Sequence, residues 1–340
     1  MPAEWEPHAA TWIAWPHHEP DWPGKLDAVR WDYAEIVRVL HQYEPVEIIC
    51  NDAAVRESAL DHLQAHHVDA ARYRLHEVPS DRVWLRDSAP TGVVRGDGSV
   101  EWMNWGFNAW AKYDNYSRDA LVGEAIADIT GHLLEKPVRG DGGRLVLEGG
   151  GIDVDGSGTL LVTEEWLLTD VQVRNPNLTR ADYERAFAEY LGISRTIWLG
   201  EGAVGDDTHG HVDDIARFAP GGTVLLAYEE DPADANHQRS ADNLRRLELE
   251  SSTEPFNIVL LPFPRPVMMR GERLPASYAN FYVCNGAVLV PTFNDPADHE
   301  ALEIVAAAFT GRDVIGIHAV DLAWGLGTLH CLTQQQPAPV

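Results

Sequence analysis

The feature that most constrains this chain is a regular alternation of two kinds of apolar segment, running from residue 26 to residue 317 without a linker. Residues 26–43 carry apolar side chains at helical spacing, Pro45 stops that pattern, and Val46–Cys50 is a short continuous apolar run of the kind a buried strand shows. Asn51-Asp52 then supplies a cap for a second helix to about residue 66. The same reading predicts helices at 118–134, 180–191, 232–248 and 297–309. It predicts strands at 74–78, 145–154, 159–163, 195–199, 223–227, 257–262, 286–291 and 313–317. Such alternation means an α/β protein. No Pro/Ser-rich stretch divides the chain, no internal repeat is visible by inspection, and Glu148-Gly-Gly-Gly does not precede a helix as a phosphate-binding loop would.

Composition narrows the functional classes. An apolar content of 45% with 12 Trp is enough for a packed core. The 53 Asp and Glu against 26 Lys and Arg leave a net charge of −27, which repels phosphate backbones and anionic lipid. Nucleic-acid and membrane partners are therefore not expected, and no apolar run reaches the length of a membrane span. Cations are attracted instead, although solubility accounts for most of a surplus like this. Three cysteines, Cys50, Cys284 and Cys331, are too few and too odd in number for a disulfide framework. The N-terminal Met-Pro-Ala-Glu-Trp-Glu-Pro has no basic stretch and no apolar h-region, so a cytoplasmic location is expected.

Cys50 and Cys284 end strand-like apolar runs and are expected to be buried, inert thiols. Cys331 differs. It lies in Gly325-Leu-Gly-Thr-Leu-His-Cys-Leu-Thr-Gln-Gln-Gln, where glycines permit close approach and a histidine precedes the thiol. Three further segments are dense in chemically capable side chains: Asp81-Arg-Val-Trp-Leu-Arg-Asp-Ser, Leu147-Glu-Gly-Gly-Gly-Ile-Asp-Val-Asp-Gly, and Gly205-Asp-Asp-Thr-His-Gly-His-Val-Asp-Asp. If residues 209–213 are extended, His209, His211 and Asp213 share one face. That face suits a general base beside a carboxylate, or a divalent-metal site. The alternative is an exposed polar loop, which fits poorly with the absence of any Lys or Arg among residues 202–216. Structural roles compete elsewhere too. Asp87 can pair with Arg86 or cap a turn, Glu148 can pair with Arg144, and a single cysteine is more often a core thiol than a nucleophile.

If these groups converge, several carboxylates around one thiol oppose thiolate formation. Such a site works only when a cation enters it. A guanidinium is the natural match, being planar, permanently charged and able to receive two carboxylates in bidentate fashion.

Eight segments in order resemble the agmatine deiminase family of the guanidine-modifying (pentein) superfamily. They are Met1-Pro-Ala-Glu-Trp-Glu-Pro-His, Thr11-Trp-Ile-Ala-Trp-Pro, Val83-Trp-Leu-Arg-Asp-Ser-Ala-Pro, Asn104-Trp-Gly-Phe-Asn-Ala-Trp, Leu147-Glu-Gly-Gly-Gly-Ile-Asp-Val-Asp-Gly, Asp206-Asp-Thr-His-Gly-His-Val-Asp, Tyr278-Ala-Asn-Phe-Tyr and Gly327-Thr-Leu-His-Cys-Leu-Thr-Gln-Gln-Gln-Pro. The resemblance implies a five-bladed α/β propeller with pseudo-fivefold symmetry, formed as one catalytic domain over residues 1–340. It implies hydrolysis of agmatine, a small cationic guanidine, to N-carbamoylputrescine and ammonia on the route to putrescine, with no metal and no organic cofactor. By motif position Cys331 resembles the nucleophile and His211 the general acid/base. Asp87 and Asp213 resemble the guanidinium-binding carboxylates, and Glu148 the acid that orients His211. Trp84 and the Trp105-Gly-Phe-Asn-Ala-Trp110 stretch are candidate pocket walls around an alkyl chain, with core packing as their alternative role. A homo-oligomer is compatible with the family. Departures are Trp166, where many relatives carry cysteine, Asn108-Ala-Trp-Ala-Lys112 in place of a glycine pair, and His209, which varies.

Three other readings are carried forward. A bacterial-type peptidylarginine deiminase shares fold and chemistry. A metal-dependent hydrolase would use His209, His211 and Asp213. A non-catalytic pentein binding protein would need none of the five polar residues together.

Overall fold

The computed structural model describes residues 1–340 and divides into two compact units. One comprises Met1–Trp5 and Gly150–Leu329; the other comprises Glu6–Gly149 and His330–Val340. Both are built from one module: a short first strand, a second strand antiparallel to it, a helical connection, and a third strand parallel to the second.

The 6–149 unit holds two modules. In the first, Gln334–Pro337 pairs antiparallel with His8–Ala14, helix Leu26–Leu40 follows, and Val46–Cys50 returns parallel to His8–Ala14. Helix Ala53–Ala65, capped by the Asp52 carboxylate on the Val55 N–H at 2.9 Å, then leads to an added strand, Tyr73–Glu77. In the second, Thr91–Val94 pairs with Val100–Met103, and helix Asp119–Thr130 leads to Leu133–Glu135.

The 150–329 unit holds three modules. Asp153–Val154 and Thr159–Thr163 are joined by Arg195–Leu199, through helices Glu164–Leu168 and Arg180–Ala186. Ala216–Ala219 and Thr223–Tyr228 are joined by Asn257–Pro262, through helix Ala235–Thr253. Tyr282–Cys284 and Ala287–Thr292 are joined by Asp313–His318, through helix Ala297–Ala308.

The middle strands carry the core. Leu160–Val162, Val224–Leu226 and Ala287–Val290 are at or near zero exposure, while the third strands Asn257–Pro262 and Asp313–His318 lie at a sheet edge and are mostly half-buried or exposed. Burial of each large aliphatic side chain is worth about 1.5–3 kcal/mol. Most expected elements are present, and 159–163, 195–199 and 257–262 match to the residue. Two expectations are corrected. The helix expected to 134 stops at Thr130, because Gly131 takes a left-handed cap at φ 70° and the chain re-enters a sheet. The strand expected over 145–154 is confined to Asp153–Val154, since Gly149–Gly151 form a tight helical turn. No helix is long and apolar enough to cross a membrane.

Candidate active site

Each of the four segments that carry Asp87, Glu148, His211 with Asp213, and Cys331 enters the first strand of a module. Asp87 precedes Thr91–Val94, Glu148 precedes Asp153–Val154, His211 and Asp213 precede Ala216–Ala219, and Cys331 precedes Gln334–Pro337. Each of these first strands is short, and the backbone entering it is irregular. That is where a rigid sheet presents side chains at its end.

In the 6–149 unit, Arg86 gathers three of these segments. Trp84 starts a single helical turn, Leu85–Ser88, in which Trp84, Arg86 and Asp87 are all buried. The Arg86 guanidinium donates from Nε to the His330 carbonyl at 3.2 Å and from Nη1 to Gln335 Oε1 at 2.6 Å. It thereby bolts the Asp87 turn to the helix Leu329–Leu332 that carries Cys331. The Arg86 carbonyl would clash with a Cβ on Gly149, so a glycine must follow Glu148 there. Glu148 itself is fully buried, and Arg144, its partner in the alternative structural role, donates instead to the Asn104 carbonyl at 2.5 Å. Trp84 packs against Trp22 with centroids 5.5 Å apart. Burial pushes the Tyr33 phenol well above its ordinary range, and the charges of Asp21 and Cys331 add to that.

Asp87 is reached from a strained turn. Ala109, Trp110 and Ala111 lie at φ 48°, 58° and 52°, three consecutive non-glycine residues in the left-handed region, at a cost of about 1–2 kcal/mol each. The turn is fixed by the Asn108 side-chain oxygen on the Ala111 N–H at 3.0 Å, and by Phe107 and Tyr113 edge-on to Trp110 at 5.3 and 6.0 Å. It turns the Trp110 indole N–H onto Asp87 Oδ2 at 2.8 Å. Trp110 is 4% exposed, so this is a buried bond to a carboxylate.

The 150–329 unit holds His211 and Asp213. Residues 209–213 are not extended: His209 and Gly210 sit at φ 64° and 101°, and Val212–Asp214 form a 3-10 turn. Asp206 builds this bend by accepting from the Gly210 and His211 N–H groups at 2.7 and 2.9 Å. A Cβ at Gly210 would meet Trp166 N at 2.9 Å. The shared-face reading of His209, His211 and Asp213 is therefore corrected. His209 bonds Thr169 Oγ1 at 3.1 Å, whereas His211 is buried edge-on to Trp166 at 5.6 Å, and no group of three His, Cys, Asp or Glu is gathered as a metal site. Val212 and Ile215 anchor the turn in an apolar cluster with Leu199, Val224 and Leu247. Asp213, at zero exposure, lies in the field of buried Arg217. Burial works to lower the pKa of that guanidinium, but Glu4, Asp153 and Asp213 outweigh it and hold Arg217 above its ordinary value. Arg217 pairs with Glu4 at 3.0 Å and Asp153 at 3.2 Å, and donates to the Phe281 carbonyl at 2.6 Å.

Sequence reasoning did not identify Arg86 as the residue joining these segments, or Arg217 and Glu4 as a buried pair. Contacts across 213 residues leave no local signal. An arginine inside the apolar run Ile215–Ala219 was the one available hint. All three cysteines are free; burial pushes the Cys50 thiol up to about 12, in line with its expected inertness.

The model of the Porphyromonas-type peptidyl-arginine deiminases matches residues 1–337. Agmatine deiminase of Ectopseudomonas mendocina is 37% identical, over all of this chain and 95% of its own length. Among solved structures, agmatine deiminase of Enterococcus faecalis superposes with a TM-score of 0.90 at 28% identity, over 100% of this chain and 96% of that one. A serine-for-cysteine variant of the C. jejuni agmatine deiminase, with substrate bound, superposes with a TM-score of 0.89 at 26% identity, over 99% and 96%. This chain therefore belongs to the agmatine deiminase family, within the Porphyromonas-type peptidyl-arginine deiminases whose model spans it.

Proposed function

We propose that this chain hydrolyses agmatine to N-carbamoylputrescine and ammonia, a step toward putrescine, through a covalent amidino-cysteine. It is an enzyme acting on a C–N bond of a linear amidine. Asp87 and Asp213 hold the guanidinium, and the Cys331 sulfur attacks its central carbon. As the C–S bond forms, His211 takes the thiol proton and delivers it to the departing nitrogen, one C–N bond breaks, and ammonia leaves. His211 then takes a proton from water, whose oxygen attacks the same carbon. The C–S bond breaks and the urea-type product leaves. Glu148 orients His211, and Trp84 lines the alkyl chain. No metal or organic cofactor has a part in this scheme. The observation that carries the reading is the recurrence of all five polar residues at one module position, buried, in a chain 37% identical to an agmatine deiminase.

The five modules, in this reading, make a five-bladed α/β propeller with pseudo-fivefold symmetry, acting as one catalytic domain over residues 1–340. The three free cysteines support a cytoplasmic location, and a homo-oligomer fits the family. A second reading, deimination of peptidyl-arginine, is favoured by the name of the matching family model. Ammonia release from agmatine, free arginine and a peptidyl-arginine separates the two. Agmatine should be the preferred substrate, and preference for the peptide would reverse the assignment. Activity should survive chelation and be lost on alkylation; loss on chelation alone would support a metal-dependent reaction.

A further inference from the structure

The Tyr278-Ala-Asn-Phe-Tyr segment takes no part in the chemistry above, yet Asn280 stands where the catalytic residues of the other modules stand, just ahead of a first strand, Tyr282–Cys284. Its side chain is fully buried. The amide Nδ2 donates to Asp214 Oδ1 at 3.0 Å, and Oδ1 accepts from the Thr328 hydroxyl at 2.7 Å. Asp214 and Thr328 are 4% and 1% exposed, so water does not compete for these bonds. Asp214 follows Asp213 in the turn Val212–Asp214, and Thr328 immediately precedes the helix Leu329–Leu332 that carries Cys331.

The orientation of the amide is fixed by its neighbours. A carboxylate can only accept, so the NH2 must face Asp214, and the carbonyl oxygen is then left for the threonine hydroxyl. A serine or threonine at 328 satisfies this arrangement; an apolar residue of the same shape leaves the Asn280 oxygen without that donor. The chain just upstream needs such a restraint, because Leu326 lies at φ 71°, in the left-handed region.

We propose that Asn280 is a positioning residue of the reaction, fixing the turn of Asp213 and the approach to Cys331 in one relay, Asp214–Asn280–Thr328. The proposal rests on the assignment of Cys331 as nucleophile and Asp213 as substrate carboxylate. Thr328 belongs to the side of the relay that leads to the nucleophile, so cutting there acts on chemistry. Asn280 belongs to both sides, so cutting there also loosens substrate binding.

The test compares Thr328→Val, Thr328→Ser and Asn280→Ala in the full chain, by steady-state kinetics with agmatine. Thr328→Val should lower kcat about tenfold, because the approach to Cys331 loses its restraint and the sulfur is misplaced for attack, with KM within twofold. Thr328→Ser should retain near-normal kcat, because it keeps the hydroxyl. Asn280→Ala should lower kcat at least as far and raise KM as well, and adding Thr328→Val to it should change kcat by less than twofold. A normal kcat in Thr328→Val, an equal loss in Thr328→Ser, or additive effects in the double variant would overturn the proposal. If Asn280→Ala does not fold, the valine and serine variants decide alone. Cys331→Ala separates the two levels: normal ammonia release from it would end the underlying assignment, whereas its inactivity alongside a fully active Thr328→Val would end only the relay.

Discussion

Asp87 and Asp213, the two carboxylates proposed to hold the guanidinium, are supported in opposite ways. Asp87 accepts a neutral indole N–H, delivered by a strained turn only 23 residues away in sequence. Asp213 lies in the field of a fully buried guanidinium, which is itself shared with Glu4 and Asp153. A neutral dipole orients a carboxylate and leaves its charge for the substrate. A cation would cancel that charge, but the Arg217 guanidinium is shared with Glu4 and Asp153 as well. The two arrangements reach one electrostatic end, at the cost of backbone strain in one and of desolvated ions in the other.

The largest effects come from the carboxylates. Asp87→Asn and Asp213→Asn should each lower kcat/KM for agmatine roughly a hundredfold or more, since each loses charge-assisted bonds worth about 1.5–3 kcal/mol apiece. Both kcat and KM should move, because an anchor that also orients the carbon serves binding and chemistry. If only KM rose in one variant, that carboxylate would be an anchor alone, and the equivalence of the pair would break.

Stability should separate the two supports. Arg217→Met leaves Glu4 and Asp153 as buried charges without their cation and should cost about 3–5 kcal/mol in urea unfolding. Trp110→Phe keeps an aromatic ring in place and removes one bond to a carboxylate, and should cost about 1.5–3 kcal/mol. Equal losses would mean that the ionic support is no more costly to break than the neutral one.

A smaller, pH-dependent difference distinguishes the loop that leads to Asp87. Asp119 holds that loop by accepting from the Asp81 N–H at 2.7 Å and the Arg82 N–H at 3.1 Å, and burial pushes its carboxyl up to about 7 despite these bonds. The folded chain therefore retains a proton at Asp119 that the unfolded chain releases near its ordinary value of 3.8. The contribution of this group to stability is greatest at low pH, falls as pH rises through that window, and levels off above about 7. Asp119→Asn should gain stability relative to the parent over the same window, measured as the difference in urea midpoint. A difference that stayed constant with pH would exclude Asp119 as the titrating group.

The smallest effect tests the strained turn. Ala111→Gly should raise stability by about 0.5–1 kcal/mol, because glycine occupies φ 52° freely, and should leave kcat/KM unchanged. A loss of stability would show that the surrounding contacts have already absorbed the strain.

What could be read from the chain follows from element length. The segments expected as a helix over 26–43 and as strands over 46–50 and 223–227 are long or apolar enough to show their period, and they form at Leu26–Leu40, Val46–Cys50 and Thr223–Tyr228. First strands such as Thr91–Val94 and Ala216–Ala219 are four residues each, too short for a pattern, and they are the ones the site residues enter. The repeat was invisible because the modules share topology and not residues: each middle strand need only be apolar. Chemical types were legible at Cys331, His211, Asp87 and Glu148, since those residues stand in turn-like or glycine-rich sequence. Their supports were not, since Arg86–His330 and Arg217–Glu4 join positions over two hundred residues apart. The segment Asn108-Ala-Trp-Ala-Lys112 reads as a departure from the family, but only the structure shows that Ala109, Trp110 and Ala111 all take positive φ there.

The central claim is that a cation bound among carboxylates activates one sulfur for covalent chemistry. Mass spectrometry of the protein, acid-quenched during agmatine turnover, tests it directly. The account predicts one amidino group on Cys331, none on Cys50 or Cys284, and none in Cys331→Ala. Steady ammonia release with an unmodified Cys331 at every quench time, and with full activity in Cys331→Ala, would contradict it.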